Sequence, residues 1–343
     1  MKRGLALLAA VLTALLAVAA AGAKSHDTTI SGAGSTFVSP LVSAWTPAVG
    51  SAFGYTLNYT AIGSGGGIAA ISNRTVDFGA SDAPLSPDQF GSCNGCVQIP
   101  WALSATSVAY NVPGAPVHLN LSGKVIAGIF LGKVTNWNDA AIAKLNKGAK
   151  MPDLKITPVF RSDGSGTTYN FTDYLSSVSP EWKSKVGNST QVSFPTGVGA
   201  RGSSGVAGVV SRTEGAVTYV DVAFALNNHI RFAAVQNAAG KFLYPSLRRI
   251  KEAAEAFPKV GQNNEMHIVN PPKKAKTAYP ICTYTYVILP LKTDKAAELR
   301  RLVFWALTQG QKSQYTAKLL FVPLPKSVLV ASEKTLKQIH PAS

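Results

Sequence analysis

The sequence predicts an α/β fold with parallel strands, divided into two domains, and three observations carry that reading. Short apolar runs rich in β-branched and aromatic residues alternate with stretches whose apolar residues recur at helical spacing. At 343 residues, 46% hydrophobic and only 15% charged, the chain can fill two packed cores and is too apolar to be disordered. Finally, Ser107-Asn111 and Ile281-Leu289 each adjoin a turn, Val112-Pro113-Gly114 and Tyr279-Pro280, where the chain would cross between domains.

Taken in order, the predicted strands are Thr56-Ile62, Val76-Phe78, Ser107-Asn111, Thr157-Phe160, Ala216-Tyr219 and Thr283-Leu289. Helices are expected over Leu41-Phe53, Ile68-Ser72, Tyr169-Leu175 and Lys295-Leu307; in the last, Leu299, Leu302, Val303, Ala306 and Leu307 share one face. Two crossings make the first domain discontinuous, residues 24–108 plus 283–343, with the second spanning 109–282. Residues 1–23 read as a secretion signal: Lys2 and Arg3 precede an apolar run from Leu5 to Ala20, and Ala21-Gly22-Ala23 offers a cleavage site. The run falls short of the roughly 20 residues of a membrane span and meets no charged stop. No Cys follows the cleavage site to carry a lipid. The expected product is exported, periplasmic or at the cell surface.

Composition then narrows the chemistry. Lys and Arg number 33 against 17 Asp and Glu; removing Lys2 and Arg3 with the signal leaves 31 minus 17, or +14. These charges are spread along the chain, with small clusters at Arg248, Arg249, Lys251 and at Lys273, Lys274, Lys276, neither interleaved with aromatics. The reading is a positive field that concentrates anions, without nucleic-acid binding. Five scattered His and three Cys make no metal-ligand spacing, so neither metal nor cofactor is expected.

Three segments rich in Gly, Ser and Thr each precede a predicted helix: Gly32-Phe37, Gly63-Gly67 and Arg161-Thr168. Such a loop presents backbone N–H groups at the positive end of a helix dipole, and Gly lets an anion come close. Any one of them alone reads first as an ordinary helix start. Three together, one with an Arg whose fork of donors matches two oxygens of a tetrahedral anion, point to an oxyanion site. Arg161 has the alternative of a surface ion pair with Asp163. Asp82 would suit a ligand that carries a proton, as phosphate does and sulfate does not at neutral pH; the alternative is a turn residue before Pro84.

Gly32-Phe37, Ile62-Gly67, Val76-Leu85 and Arg161-Thr167, in this order, resemble the signature segments of the phosphate-binding proteins of high-affinity ABC phosphate importers. The similarity continues through Ile126-Asp139 and Gly215-Val220 and covers most of the mature chain. The resemblance implies a two-lobed periplasmic-binding-protein fold of type II character, two domains joined by two crossing strands, with phosphate held between them. It further implies oxygen contacts from Thr36, the Phe37 backbone, Ser64, Arg161, Ser165, Gly166 and Thr167, with Asp82 accepting the ligand proton and Asp163 orienting Arg161. The partners implied are inorganic phosphate and the membrane permease subunits of an ABC transporter. The protein would act as a monomer and would not be an enzyme.

Two features depart from the family pattern: the pair Cys93-Asn94-Gly95-Cys96 and the basic stretch Arg248 to Lys276. The pair reads as a local disulfide, because a redox motif would need a thioredoxin-like βαβ context and a zinc site further ligands. Cys282, in an apolar strand, reads as a buried free thiol. Gly128-Val134 approaches a Walker A loop but is one residue short between the glycines and has Val134 where Ser or Thr must hold Mg²⁺. Ser165 lacks the G-x-S-x-G context of a hydrolase nucleophile.

Overall fold

A computed structural model describes residues 28–342, so the secretion signal assigned to residues 1–23 lies outside the described residues. Strand β1 (Thr28–Gly34) pairs in parallel with β2 (Tyr55–Ala61) and β3 (Phe78–Ser81). Parallel neighbours need crossover connections, and helices α1 (Ser39–Phe53) and α2 (Ser64–Ser72) supply them. Helix α3 (Pro87–Cys93) opens on a capping box between Ser86 and Gln89. The chain continues through β4 (Cys96–Tyr110), β5 (Asn120–Leu121), α4 (Gly123–Phe130), α5 (Ala140–Leu145) and β6 (Thr157–Arg161). Next come α6 (Gly166–Val178), α7 (Pro180–Lys185), β7 (Val198–Ala200), α8 (Gly202–Arg212), β8 (Ala216–Asp221) and α9 (Val222–Asn227). The remainder is β9 (Arg231–Phe232), β10 (Ala234–Gln236), β11 (Phe242–Leu243), α10 (Leu247–Glu255), β12 (Cys282–Pro290), α11 (Ala296–Leu307), α12 (Ser313–Thr316) and α13 (Lys326–Leu336).

The main sheet runs β2-β1-β3-β12-β4-β8-β6-β7, with β9 also on β4, and a small second sheet has the order β11-β10-β5. Its centre is the 15-residue strand β4, which changes partner part-way along. Cys96–Ala105 pair antiparallel with β12, and Thr106–Tyr110 pair antiparallel with β8. The expectation of parallel strands therefore holds for β2-β1-β3 and β8-β6-β7 and is corrected for the two crossing strands. One carries the chain out and the other brings it back, so they must run in opposite directions. Both are buried along almost their whole length, which is why Ile281-Leu289 reads as a nearly continuous apolar run. The predicted strand at Ser107-Asn111 is only the end of β4. Its earlier part escapes the pattern because Pro100 interrupts it, at the register shift opposite Thr285 and Tyr286.

A polar clasp holds the crossing strands together where β4 changes partner. Asn170 on α6 accepts from Thr106 Oγ1 at 2.6 Å and donates to Cys282 O at 3.0 Å. The Thr106 N–H donates to Ile281 O at 2.8 Å, and the Tyr279 hydroxyl donates to Thr106 O at 3.0 Å. To one side, Trp45 packs edge-on against Trp101 with centroids 5.3 Å apart and donates its indole N–H to Gly310 O at 2.9 Å. To the other, Phe171 stacks on Tyr219 at 4.3 Å and Phe130 meets Phe171 edge-on at 5.0 Å. The two aromatic groups belong to one hydrophobic core that continues through the crossing strands.

The predicted loops are corrected in detail. Gly32 and Gly34 lie in strand β1, Gly65 to Gly67 already sit in the first turns of α2, and Gly166 begins α6. The glycines belong to element ends because strand and helix meet there with almost no connecting loop.

Cys93 and Cys96 form a disulfide with Cα atoms 5.6 Å apart, and Cys282 is a buried free thiol whose pKa burial raises. Closing so short a loop restrains little of the unfolded chain and stabilises by about 2 kcal/mol. The double variant Cys93→Ser/Cys96→Ser should therefore fold, melt only a few degrees lower by circular dichroism, and bind its ligand as the parent does. Mass spectrometry of the exported protein should find these two thiols oxidised; two free thiols would remove the bond from the mature form. The basic stretch lies at the surface, with Arg248–Glu252 and Lys251–Glu255 pairs on α10 at 3.7 and 3.6 Å, contacts that contribute little to stability. Among the described residues no helix is long and apolar enough to cross a membrane.

Candidate functional site

Short polar residues at the carboxyl ends of β1, β3 and β6 meet at the starts of α1, α2 and α6, beside the crossing strands. In open α/β sheets this is where ligands collect, because helix N-termini offer unpaired N–H groups there. Thr36, Ser64, Asp82, Arg161, Ser165 and Thr167 are all at most 5% exposed. Such polar groups are expensive to bury without partners, and their partners define the site.

Asp82 follows β3. Its Oδ1 accepts from Ser35 Oγ and, at 3.0 Å, from Thr285 Oγ1 on β12, which leaves Oδ2 for another donor. Its backbone N–H donates to Ser64 Oγ at 3.2 Å. Burial pushes the Asp82 carboxyl up to about 6, while the hydrogen bonds from Ser35 and Thr285, the Arg161 charge and Ser64 pull the other way. At neutral pH it is an acceptor.

Arg161 ends β6. Its Nε and Nη2 donate to the two oxygens of Asp163 at 2.7 and 2.5 Å, a bidentate pair. Three N–H donors of the fork remain, two on Nη1 and one on Nη2. Asp163 also accepts from the Gly202 N–H at 2.9 Å. Burial alone would raise the Asp163 pKa, but the guanidinium and the Gly202 N–H hold it below the usual carboxylate range. Tyr219 steadies the base of this strand, accepting from the Arg161 N–H at 3.1 Å and meeting Thr168 Oγ1 at 2.7 Å.

Ser165 caps α6: its Oγ accepts from the Thr168 N–H at 3.1 Å, so its hydroxyl proton is available. Thr167 Oγ1 is buried with no hydrogen-bond partner among the described groups. Thr36 Oγ1 lies 2.8 Å from Ser203 Oγ and accepts from the Ser203 N–H at 3.2 Å. The Phe37 N–H does not stand free: it donates to Ser35 Oγ at 3.1 Å, while its ring packs edge-on against Phe321.

Backbone from the two halves meets directly across this cluster. The Gly65 N–H donates to Gly164 O at 2.9 Å. A Cβ on Gly63, at φ +88°, would lie 2.2 Å from Asp163 Oδ2, and one on Gly166 would lie 2.6 Å from the Asp82 nitrogen. Neither position has room for a side chain, which explains the two glycines better than helix starting does.

The structure brings Thr36, Ser64, Asp82, Arg161, Asp163, Ser165, Gly166 and Thr167 into one buried cluster and gives Asp163 a supporting place behind Arg161. The Arg161–Asp163 ion pair is present but largely buried, and Asp82 sits in the bend before Pro84 and is buried as well. Sequence reasoning passed over Ser35, Thr285 and Ser203, which orient these groups. Thr285 lies 203 residues from the carboxylate it serves and is one polar residue in an apolar strand.

Comparison with known proteins decides the family. The sequence profile of the PBP superfamily domain matches residues 19–305. The phosphate-binding protein PstS of Xylella fastidiosa (strain Temecula1) is 41% identical over 316 residues, covering 89% of this chain and 84% of that protein. That of Pasteurella multocida is 39% identical over 312 residues, covering 88% of each. The chain belongs to the PstS family of phosphate-binding proteins. A solved high-affinity periplasmic phosphate-binding protein bound with phosphate superposes at a TM-score of 0.71 with 21% identity, covering 90% of this chain and 93% of that one. That likeness establishes the two-lobed α/β fold. The cluster described above lies where the lobes of this PstS-family protein meet.

Proposed function

We propose that this protein captures inorganic phosphate in the cluster between its lobes and hands it to the permease subunits of an ABC transporter for import. The observation that carries the reading is the pairing of opposites in one buried place: a forked cation, Arg161, and an ionised acceptor, Asp82, both within 4% of full burial. A monoprotonated phosphate satisfies both at once, giving bare oxygens to Arg161 and the hydroxyls of Ser64, Ser165 and Thr167 and its proton to Asp82. The names of the PstS relatives and of the phosphate-bound structural neighbour support the same ligand. Hydrogen bonds to a charged group contribute about 1.5 to 3 kcal/mol each, so a handful beyond the association cost suffices for a micromolar constant near 8 kcal/mol.

Capture without catalysis is part of the proposal. Ser165 serves as a helix cap, with its Oγ accepting from the Thr168 N–H. Export to the periplasm or cell surface, with cleavage near Ala23 and function as a monomer, completes the reading. The lobe boundary is proposed where β4 changes partner, between Ala105 and Thr106, and at the returning Ile281–Cys282; the strand pairing supports these bounds, a few residues from those read in the sequence.

Calorimetric titration with phosphate, sulfate and arsenate tests the function: one phosphate per chain is expected, and absence of a phosphate signal would refute it. Thr36, Ser64 and Asp82 stand on one lobe and Arg161, Ser165 and Thr167 on the other, so a ligand that bonds to both should draw the lobes together. Small-angle scattering should record a smaller radius of gyration with phosphate than without. An unchanged radius would remove hinge closure from the mechanism.

A further inference from the structure

The returning crossing strand β12 places two hydroxyls on Asp82. Thr283 Oγ1 donates to the Asp82 carbonyl oxygen at 3.1 Å, and Thr285 Oγ1 donates to the carboxylate Oδ1 at 3.0 Å. Two residues apart on one strand, they face the same side of the sheet. Thr285 is fully buried, and a buried hydroxyl in an apolar strand is costly unless it finds an acceptor. The register with β4 also shifts at this residue: Thr285 pairs with Ala102 and Tyr286 with Pro100, which leaves Trp101 over. A bulge of this kind increases the local twist and re-aims side chains, and it falls where β12 meets the carboxylate.

The other donor to Oδ1 is Ser35. Its oxygen accepts from the Phe37 and Val38 N–H groups at 3.1 and 3.3 Å, which occupies both lone pairs and leaves its proton for Asp82. Oδ1 is thus engaged twice, once from the junction of β1 and α1 and once from the crossing strand, and Oδ2 is the oxygen left to meet a ligand. Both donors favour the ionised carboxylate over the neutral acid. A proton that Asp82 did acquire would sit on Oδ2 and turn that oxygen from acceptor into donor.

We propose that Thr285 is a positioning residue that sets the specificity of the phosphate site: from the crossing strand, its hydroxyl holds Asp82 as an acceptor with Oδ2 left for the ligand, so that an oxyanion without a proton is turned away. The inference rests on the phosphate reading of this site. Burial lifts the Asp82 carboxyl to about 6, while the Ser35 and Thr285 hydroxyls, Arg161 and Ser64 lower it, so the loss of one donor moves it toward neutral pH. The other groups that act on Asp82 hold their state between pH 5 and pH 7.5. Arg161 on β6 is a permanent cation. Tyr59 on β2 keeps its proton because burial and the Asp82 charge raise its pKa, and Asp221 at the end of β8 is mostly protonated because burial raises it to about 8.

Thr285→Val keeps the shape and strand preference of the side chain and removes the donor. A hydrogen bond to a charged group is worth about one to two decades in an equilibrium constant. The rise in sulfate affinity that accompanies protonation of Asp82 should therefore move from near pH 6 in the parent to about pH 7 or above in the variant. At pH 7.5 sulfate should bind the variant about tenfold more tightly than the parent, and phosphate affinity should change much less. Thr285→Ser keeps the hydroxyl and should keep the parent's phosphate-to-sulfate ratio and sulfate profile. In Asp82→Asn no carboxylate remains to be held, so adding Thr285→Val there should leave the ratio unchanged.

Competition calorimetry of the full mature protein with phosphate and sulfate from pH 5 to pH 7.5 measures all four proteins beside the parent. A merely structural Thr285 would weaken both anions together and leave the ratio and the midpoint of the sulfate rise where they are in the parent. That outcome, a ratio that Thr285→Ser fails to restore, or an effect of Thr285→Val that persists in Asp82→Asn would each refute the role of Thr285 while phosphate binding stands. Failure of the parent to bind phosphate at pH 7 would instead overturn the functional reading on which the role depends.

Discussion

Arg161→Ala should weaken phosphate binding by about two to four decades, and it should also lower the melting temperature because Asp163 loses its bidentate partner. The side chain is 4% exposed and is the one cation among the residues of the site. Removing one partner of a buried, hydrogen-bonded charge pair costs about 3 to 5 kcal/mol because the other charge stays buried and unpaired, and each 1.4 kcal/mol is a decade of affinity. Here the loss has two parts. Phosphate loses the fork, and Asp163, no longer engaged at 2.7 and 2.5 Å, becomes an uncompensated negative group beside an anion.

These parts can be separated by calorimetry. Arg161→Lys keeps the charge but loses the bidentate geometry, so its affinity should lie between parent and Ala. Adding Asp163→Asn to Arg161→Ala removes the stranded carboxylate and should recover a fraction of the lost affinity. Phosphate bound as tightly by Arg161→Ala as by the parent would show that this cluster is not the site.

The sequence was most legible where one short segment carries its own function. Arg161, Ser165, Gly166 and Thr167 lie within seven residues, and the turn from β6 into α6 assembles them, with Tyr219 and Gly202 steadying it from afar. The same holds for Ser64 at the head of α2. Legibility falls where a role depends on a distant partner. Asp82 reads on spacing as a turn residue, and only the burial brought by β12 and the donors Ser35 and Thr285 turn it into a poised acceptor. Ser203 carries no local signal, since a serine in the first turn of a helix is ordinary until Thr36 is brought across to it. The fold shows the same division. Local periodicity is enough for α11 and β12, whereas β4 belongs to two halves at once, and its Gln98, Pro100, Ser104 and Thr106 make sense only against its partners. The glycines read as loop residues because a single sequence does not show the second backbone that comes within van der Waals contact of Gly63 and Gly166.

Asp82→Asn should collapse the discrimination between phosphate and sulfate while changing phosphate affinity much less. An ionised carboxylate facing a ligand oxygen gains a hydrogen bond if that oxygen bears a proton and is repelled if it is bare. Unit charges about 4 Å apart repel by roughly 4 kcal/mol at an effective dielectric of 20, nearly three decades, so the parent should bind sulfate about a thousandfold more weakly than phosphate at neutral pH. Arsenate, which keeps a proton there, should still compete. Asn can donate as well as accept, and a bare sulfate oxygen then meets an N–H in place of a charge.

The same argument predicts how pH acts on the parent. Because burial places the Asp82 carboxyl at about 6, it is ionised above that pH and protonated below it. As pH falls through this value the acid becomes a donor, so sulfate affinity should rise in the parent and stay level in Asp82→Asn. Competition titrations at pH 5 and pH 7.5 measure both effects. Equal phosphate-to-sulfate ratios in the two proteins at pH 7.5, or sulfate binding in the parent that ignores the fall to pH 5, would mean that a proton on the ligand is not what Asp82 reads.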